Sequence, residues 1–90
     1  MNIAMDFDGT YTLDPTTWNK VVKKLHKAGH NVYLVTHRKF SGYNGKDNDI
    51  YKVMPEFDGI YFTEGVKKSL FTKMIGLNID VWIDNDVSKI

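Results

Sequence analysis

The chain has 90 residues, 42% hydrophobic and 13% aromatic, with a formal net charge of +1. That is one small domain over residues 1–90, in which folding buries about two-thirds of the unfolded surface, and its balanced charge gives no pull toward nucleic acid or an anionic membrane. It contains no cysteine, which removes disulfides, thiolate zinc sites and cysteine nucleophiles.

No apolar run approaches membrane-spanning length. The start lacks a basic segment followed by an apolar one, so no signal peptide is expected and the expected location is cytoplasmic. Residues 2–6 predict a short buried strand, apolar at Ile3, Ala4 and Met5, that runs straight into Asp6-Phe7-Asp8-Gly9-Thr10. Residues at i and i+2 of a strand share a face, and open α/β folds bind ligands at the carboxyl ends of their strands. Two carboxylates that close repel unless a cation or a proton offsets them. Mg²⁺ suits such a pair, since it takes hard oxygen ligands and keeps several waters. Gly9 lets backbone N–H groups approach a ligand, and Thr10 adds a polar contact. The same residues also suit a surface turn. A calcium loop is excluded, because Tyr11 and Leu13 interrupt the alternating ligands and no Glu closes the series.

A helix is expected from Asp14 to Ala28. Asp14 is a good N-cap and Pro15 suits the first helical position. Trp18, Val21, Val22 and Leu25 form the buried stripe, with Trp18 as a core residue. Lys20, Lys23, Lys24 and Lys27 form a solvated face near the helix end, and Gly29 stops the helix. Asn31 to Val35 is the second strand, ending in Thr36-His37-Arg38, and the first three elements make a βαβ unit with parallel strands. Lys39 to Asn48 reads as a mobile polar loop. Asp49 to Met54 follows as a short helix ended by Pro55. Gly59 to Phe62 is the third strand, with Thr63 and Glu64 at its end. Lys67 to Ile75 is a second good helix, with Leu70, Phe71, Met74 and Ile75 as its apolar stripe and Gly76 as its stop. Asp80 to Ile83 is the fourth strand, with Trp82 in the core, and it ends in Asp84-Asn85-Asp86.

Strands alternating with helices predict an α/β fold with a parallel sheet. All strand ends then lie on one edge and bring together Asp6, Asp8, Thr36, Thr63, Glu64, Asp84 and Asp86. Several separated strand ends supplying polar groups to one edge mark a pocket. The residue types exclude several chemistries. There is no Gly-x-Gly-x-x-Gly for a dinucleotide and no Gly-x-x-x-x-Gly-Lys for a phosphate loop. His26, His30 and His37 lack zinc spacing. Carboxylates, a hydroxyl, a lysine and Mg²⁺ do suit phosphoryl transfer through an aspartyl phosphate.

In these motifs the chain resembles the haloacid dehalogenase superfamily of phosphohydrolases. The family's Asp-x-Asp-x-Thr is matched by Asp6 to Thr10, and its Thr after an apolar strand by Thr36. Its helix-start lysine is matched by Lys67 or Lys68, and its acidic pair after an apolar strand by Asp84 and Asp86. The matches occur in order and span residues 1–86.

The resemblance implies a three-layer Rossmann-like core with about four parallel strands in the order 3-2-1-4. It implies a Mg²⁺-dependent phosphomonoester phosphatase in which Asp6 is the nucleophile and Asp8 the general acid and then base. Asp6, Asp8 (through its carbonyl), Asp84 and Asp86 would serve the metal, with Asp86 also suited to a place behind the ligands. Thr36 would bond a phosphate oxygen. Lys68, deeper in the helix start than Lys67, is preferred as the catalytic lysine, although spacing alone does not decide between them. Gly9, Thr10, His37, Arg38 and Lys67 are candidate substrate contacts, His37 and Arg38 being equally suited to the surface.

Unlike most of the family, the chain has no room for a cap domain. An open site is expected, suited to a large or end-presented phosphate such as a nucleotide or sugar phosphate, or closed by a partner subunit. The loop over 38–49 is the candidate cover. The fourth strand should lie at an exposed edge, which hints at a homo-oligomer. Two other readings share the fold: a module that binds a phosphorylated ligand or partner without turnover, and a receiver-like domain switched by phosphorylation of Asp6.

Overall fold

The structure, a computed structural model, describes residues 1–40 and 48–90. Four strands, β1 (Asn2–Met5), β2 (Asn31–Thr36), β3 (Gly59–Phe62) and β4 (Val81–Ile83), form one parallel sheet in the order β3-β2-β1-β4. Met5 pairs with Leu34 on one side and Ile83 on the other, and Thr36 pairs with Phe62. The sheet therefore has the expected order, with β4 at one edge. The helices are α1 (Pro15–Lys27), α2 (Asn48–Val53) and α3 (Lys68–Met74). None is long and apolar enough to cross a membrane, among the described residues.

Helix α1 begins where its caps dictate. The Asp14 carboxylate accepts from Thr17 N at 3.2 Å and from Thr17 Oγ1 at 2.6 Å, with Pro15 next in line. At its other end His30 N donates to Leu25 O and Gly29 N to His26 O, the paired closure that a left-handed glycine permits. Gly29 has φ +87. Helix α2 starts one residue earlier than expected and tightens into a 3-10 turn over Met54–Glu56. Pro55, lacking an N–H, falls inside that turn rather than ending the helix in a loop. The expected mobile loop and candidate cover fall largely on 41–47, outside the described residues.

Ile3, Met5, Val32 and Leu34 alternate along β1 and β2 onto one face and are buried with Val22 of α1, Ile50 of α2, Phe7, Tyr11 and Phe57. Trp18, Leu25, Ile60, Phe62 and Ile83 pack against them. Burying each such side chain is worth about 1.5–3 kcal/mol. Asp58 ties this layer together, accepting from Val32 N at 2.6 Å and pairing with His26 Nε2 at 2.8 Å.

The opposite face carries Ala4, Tyr33, Val35, Tyr61 and Trp82, and here two expectations are corrected. Trp82 is only half-buried and stands outside the core cluster. It points away from Ile83 by strand alternation, toward a cavity of about 140 Å³ lined also by Ser69, Thr72 and Lys73 of α3. The apolar stripe assigned to α3 is also not its buried face. Leu70, Met74 and Ile75 are 53%, 72% and 47% exposed, whereas Lys68 and Thr72 are each 2% exposed. Only Phe71 of that stripe is half-buried. The reason is electrostatic: Lys68 is drawn inward to carboxylates at the strand ends, and a short helix turns with it.

Candidate functional site

The carboxyl ends of β1, β2 and β4 open into a cleft of about 200 Å³ lined by Asp6, Asp8, Thr36, His37, Lys68, Asp84, Asn85, Asp86 and Lys89. Asp6 follows β1 and stays in the ladder, its N–H donating to Ile83 O at 2.9 Å. The chain then wraps back on itself. Tyr11 N donates to Asp6 O and Thr12 N to Phe7 O, and Gly9 takes φ +80. A Cβ at Gly9 would stand 2.7 Å from Asn85 Nδ2. Glycine is favoured here for its dihedral, and a Cβ would also have to push the Asn85 amide aside.

At the centre of the cleft Lys68 Nζ bridges two carboxylates, Asp6 Oδ1 at 2.8 Å and Asp84 Oδ2 at 2.6 Å. All three side chains are nearly closed to water. Burial, the largest influence, pushes the Asp6 carboxyl above its ordinary value. Its bond and charge interaction with Lys68 offset only part of that rise, and the charges of Asp84 and Asp8 add to it. The second oxygen of Asp6 has a long 3.4 Å contact from Thr10 Oγ1, which also reaches Asn85 Oδ1 at 3.4 Å. Asp84 Oδ1 accepts from Asp86 N at 3.0 Å.

The other candidates fall around this centre. Thr36 lines the cleft, is 1% exposed, and its Oγ1 accepts from Arg38 N at 3.3 Å. His37 lines it as well, with a buried Nε2 that has no hydrogen-bond partner among the described residues. Lys67 sits at the exposed N-cap of α3, one residue before the lysine that reaches the acids. Asp86 borders the cleft, but its carboxylate caps the final 3-10 turn, accepting from Ser88 N at 3.0 Å and Ser88 Oγ at 2.5 Å. Those bonds hold its carboxyl below the ordinary range.

Asp8 borders the cleft with its carboxylate on Arg38, whose Nε and Nη2 reach it at 2.8 and 2.7 Å. Arg38 itself is absent from the cleft lining and grips Asp49 on its other side. Thr63 and Glu64 share the sheet edge but do not line the cleft. Asn85, Lys89 and Asp49 are additions of the structure. Asn85 stood in view between two acids. Lys89 had only its nearness to the fourth strand's end to recommend it, and Asp49 had no spacing signal.

Of the four acids expected to serve a metal, the structure brings together the carboxylates of Asp6 and Asp84. Those of Asp8 and Asp86 are engaged elsewhere. No set of three or more acidic or imidazole side chains converges among the described residues. Two carboxylates with backbone carbonyls and waters are nonetheless a fitting donor set for Mg²⁺, which ordinarily takes one or two carboxylates. No protein-family model matches the chain, and no curated protein or solved structure matches it either.

Proposed function

We propose that this chain is a Mg²⁺-dependent phosphohydrolase of the haloacid dehalogenase type, acting on a phosphomonoester through an aspartyl phosphate on Asp6. The observation that carries this reading is the buried Lys68 ammonium shared by Asp6 and Asp84 at the ends of adjacent parallel strands. Keeping two carboxylates and a lysine out of water is costly. A fold with a small core has little reason to keep them there unless they do chemistry.

Lys68 engages one oxygen of Asp6 and leaves the other for attack on phosphorus. The ester P–O bond breaks, and the departing oxygen takes a proton from Asp8. Asp8 then removes a proton from water as that water's oxygen attacks the phosphoryl group, which frees inorganic phosphate and restores Asp6. The Lys68 charge offsets the negative charge that gathers on the phosphoryl oxygens. Thr36 and the buried Nε2 of His37, which has no hydrogen-bond partner among the described residues, line the same cleft and would hydrogen-bond those oxygens, and Lys89 would add a second cation at the cleft wall. Mg²⁺ would be held by Asp6, Asp84 and the Asp8 carbonyl, and it would supply further charge neutralisation at the phosphoryl group. With no cap domain among the described residues, the reading suits a large or end-presented phosphate, such as a nucleotide or sugar phosphate.

The test is phosphate release from a phosphomonoester panel, with and without Mg²⁺, comparing wild type with Asp6→Asn. Metal-dependent release that disappears in the variant supports the reading. A folded wild type that binds phosphate esters and releases nothing points instead to a module that holds a phosphorylated ligand.

A further inference from the structure

Arg38 is one of the most tightly specified side chains in the molecule. Its backbone is fixed first. Thr63 N donates to Thr36 O at 2.8 Å, Gly65 N to His37 O at 3.2 Å and Glu64 N to Arg38 O at 3.3 Å, so the turn after β3 staples the exit of β2. That turn holds Glu64 at φ +52, a left-handed conformation that non-glycine residues seldom adopt. Arg38 N donates to Thr36 Oγ1 at 3.3 Å.

The guanidinium then lies 5.1 Å from the centre of the Phe7 ring. It sends Nε and Nη2 to the two oxygens of Asp8 at 2.8 and 2.7 Å, and Nη1 and Nη2 to the two oxygens of Asp49 at 2.8 and 2.9 Å. Asp49 is itself fixed at the start of α2, where its carboxylate accepts from Ile50 N at 2.9 Å.

Stability does not account for this arrangement. The Asp8 and Asp49 side chains are 53% and 54% exposed, and exposed ion pairs contribute little. What a paired fork supplies is orientation, since it fixes both the distance and the plane of a carboxylate. The residue so oriented lines the cleft two positions after Asp6.

We infer that Arg38 is a positioning residue for Asp8, anchored on its far side by Asp49, rather than a contact to the substrate. This rests on the phosphohydrolase reading, in which Asp8 moves the protons. Arg38 takes one lone pair on each Asp8 oxygen, and a remaining lone pair of the carboxyl so held would carry the proton that passes to the departing ester oxygen. Asp49 lies 13 residues after Thr36 in the sequence; it does not line the cleft and reaches Asp8 through Arg38.

The experiment compares an alkyl phosphate, whose departing oxygen needs a proton, with 4-nitrophenyl phosphate, whose departing oxygen does not. Wild type, Arg38→Ala, Arg38→Lys and Asp49→Asn are assayed on both, after circular dichroism and urea midpoints show each variant folded. Proton transfer by a placed side chain is worth about 10²–10⁴-fold, so its misplacement should lower kcat/KM, which reports the steps through ester cleavage, by about tenfold or more on the alkyl ester. The loss of kcat/KM on 4-nitrophenyl phosphate should be under about threefold, because the step in which Asp8 activates water follows cleavage and is common to both esters. Arg38→Lys keeps the charge without the fork and should behave like Arg38→Ala. In an Asp8→Asn background, assayed on 4-nitrophenyl phosphate, Arg38→Ala should add nothing further.

Equal losses of kcat/KM on both esters, full activity in Arg38→Lys, or losses that add to those of Asp8→Asn each overturn the inference while wild type still turns over. A folded wild type that hydrolyses neither ester overturns the phosphohydrolase reading, and the role of Arg38 falls with it.

Discussion

Among the described residues Lys68 and Arg38 each hold two carboxylates, Lys68 in the interior and Arg38 near the surface. Lys68 and its partners Asp6 and Asp84 are 2%, 9% and 2% exposed at the side chain, whereas Arg38, Asp8 and Asp49 are 23%, 53% and 54% exposed. The formal charges are the same, one cation against two anions. In the interior water is largely shut out and the neutral groups of Thr10 and the Asp86 N–H bring no counter-charge, so the ammonium is a condition of folding. Near the surface water stands in for a missing partner, and the guanidinium matters for where it points a carboxylate. Burial thus separates two jobs that the sequence presents in the same letters.

The sharpest way to break this comparison is to remove each cation. Lys68→Met leaves two acids in the interior with no counter-charge, which costs about 3–5 kcal/mol. That is a large share of the roughly 5–15 kcal/mol by which such domains are stable. Urea denaturation should find the variant mostly unfolded or with a midpoint far below wild type. Neutralising the acids as well, in Asp6→Asn/Asp84→Asn/Lys68→Met, should return much of the loss. A cost under about 1 kcal/mol for Lys68→Met would mean that water screens the interior acids too, and the contrast would collapse.

Gly9 joins the two clusters, because the turn that follows Asp6 and Asp8 closes against Asn85. A side chain there pays for a left-handed backbone, about 1–2 kcal/mol, and meets Asn85 Nδ2 at 2.7 Å. Gly9→Ala should therefore lose that much or more by denaturation. Asn85→Ala in the same chain should return the steric part and leave the backbone part. If the second change returns nothing, the amide was free to move aside. Arg38→Ala comes lower still. Its two exposed pairs should cost about 1 kcal/mol or less, so a midpoint shift comparable to that of Lys68→Met would make Arg38 a structural residue after all.

The strand ends were legible because they rest on short apolar runs followed at once by polar groups, as at Met5-Asp6 and Ile83-Asp84, whereas the strand order came from the family resemblance and not from those runs. The caps of α1 were legible for the same local reason. Helix α3 misled. Its apolar spacing through Leu70, Met74 and Ile75 predicts one buried face, yet the helix turns Lys68 and Thr72 inward. A single long-range attraction, between residues 62 apart in sequence for Lys68 and Asp6, outweighs the local pattern. The grip of Asp49 on Arg38 was equally invisible, since it crosses a polar stretch with no periodicity to read. Sequence placed Asp8 and Arg38 near one site but held no sign that they face each other.

The smallest effect is also the most direct contrast between the clusters. Hydrogen bonds from Arg38, the largest influence, hold the Asp49 carboxyl below the ordinary range, whereas burial holds that of Asp6 above it. The unfolded chain protonates Asp49 before the folded one does. Its contribution to stability is therefore complete above the unfolded value, about 3.9, and is lost as pH falls through the lower folded value. For Asp6 the folded chain takes up the proton first. Stability falls as pH rises from about 3.9 through its higher folded value, and levels off beyond. Urea midpoints across that range should show Asp49→Asn losing stability relative to wild type as pH increases, and Asp6→Asn gaining it. Difference curves of the same sign would show that both acids answer to one environment. Opposite signs would show that the surface fork stabilises a charge that the interior penalises, even with a lysine beside it.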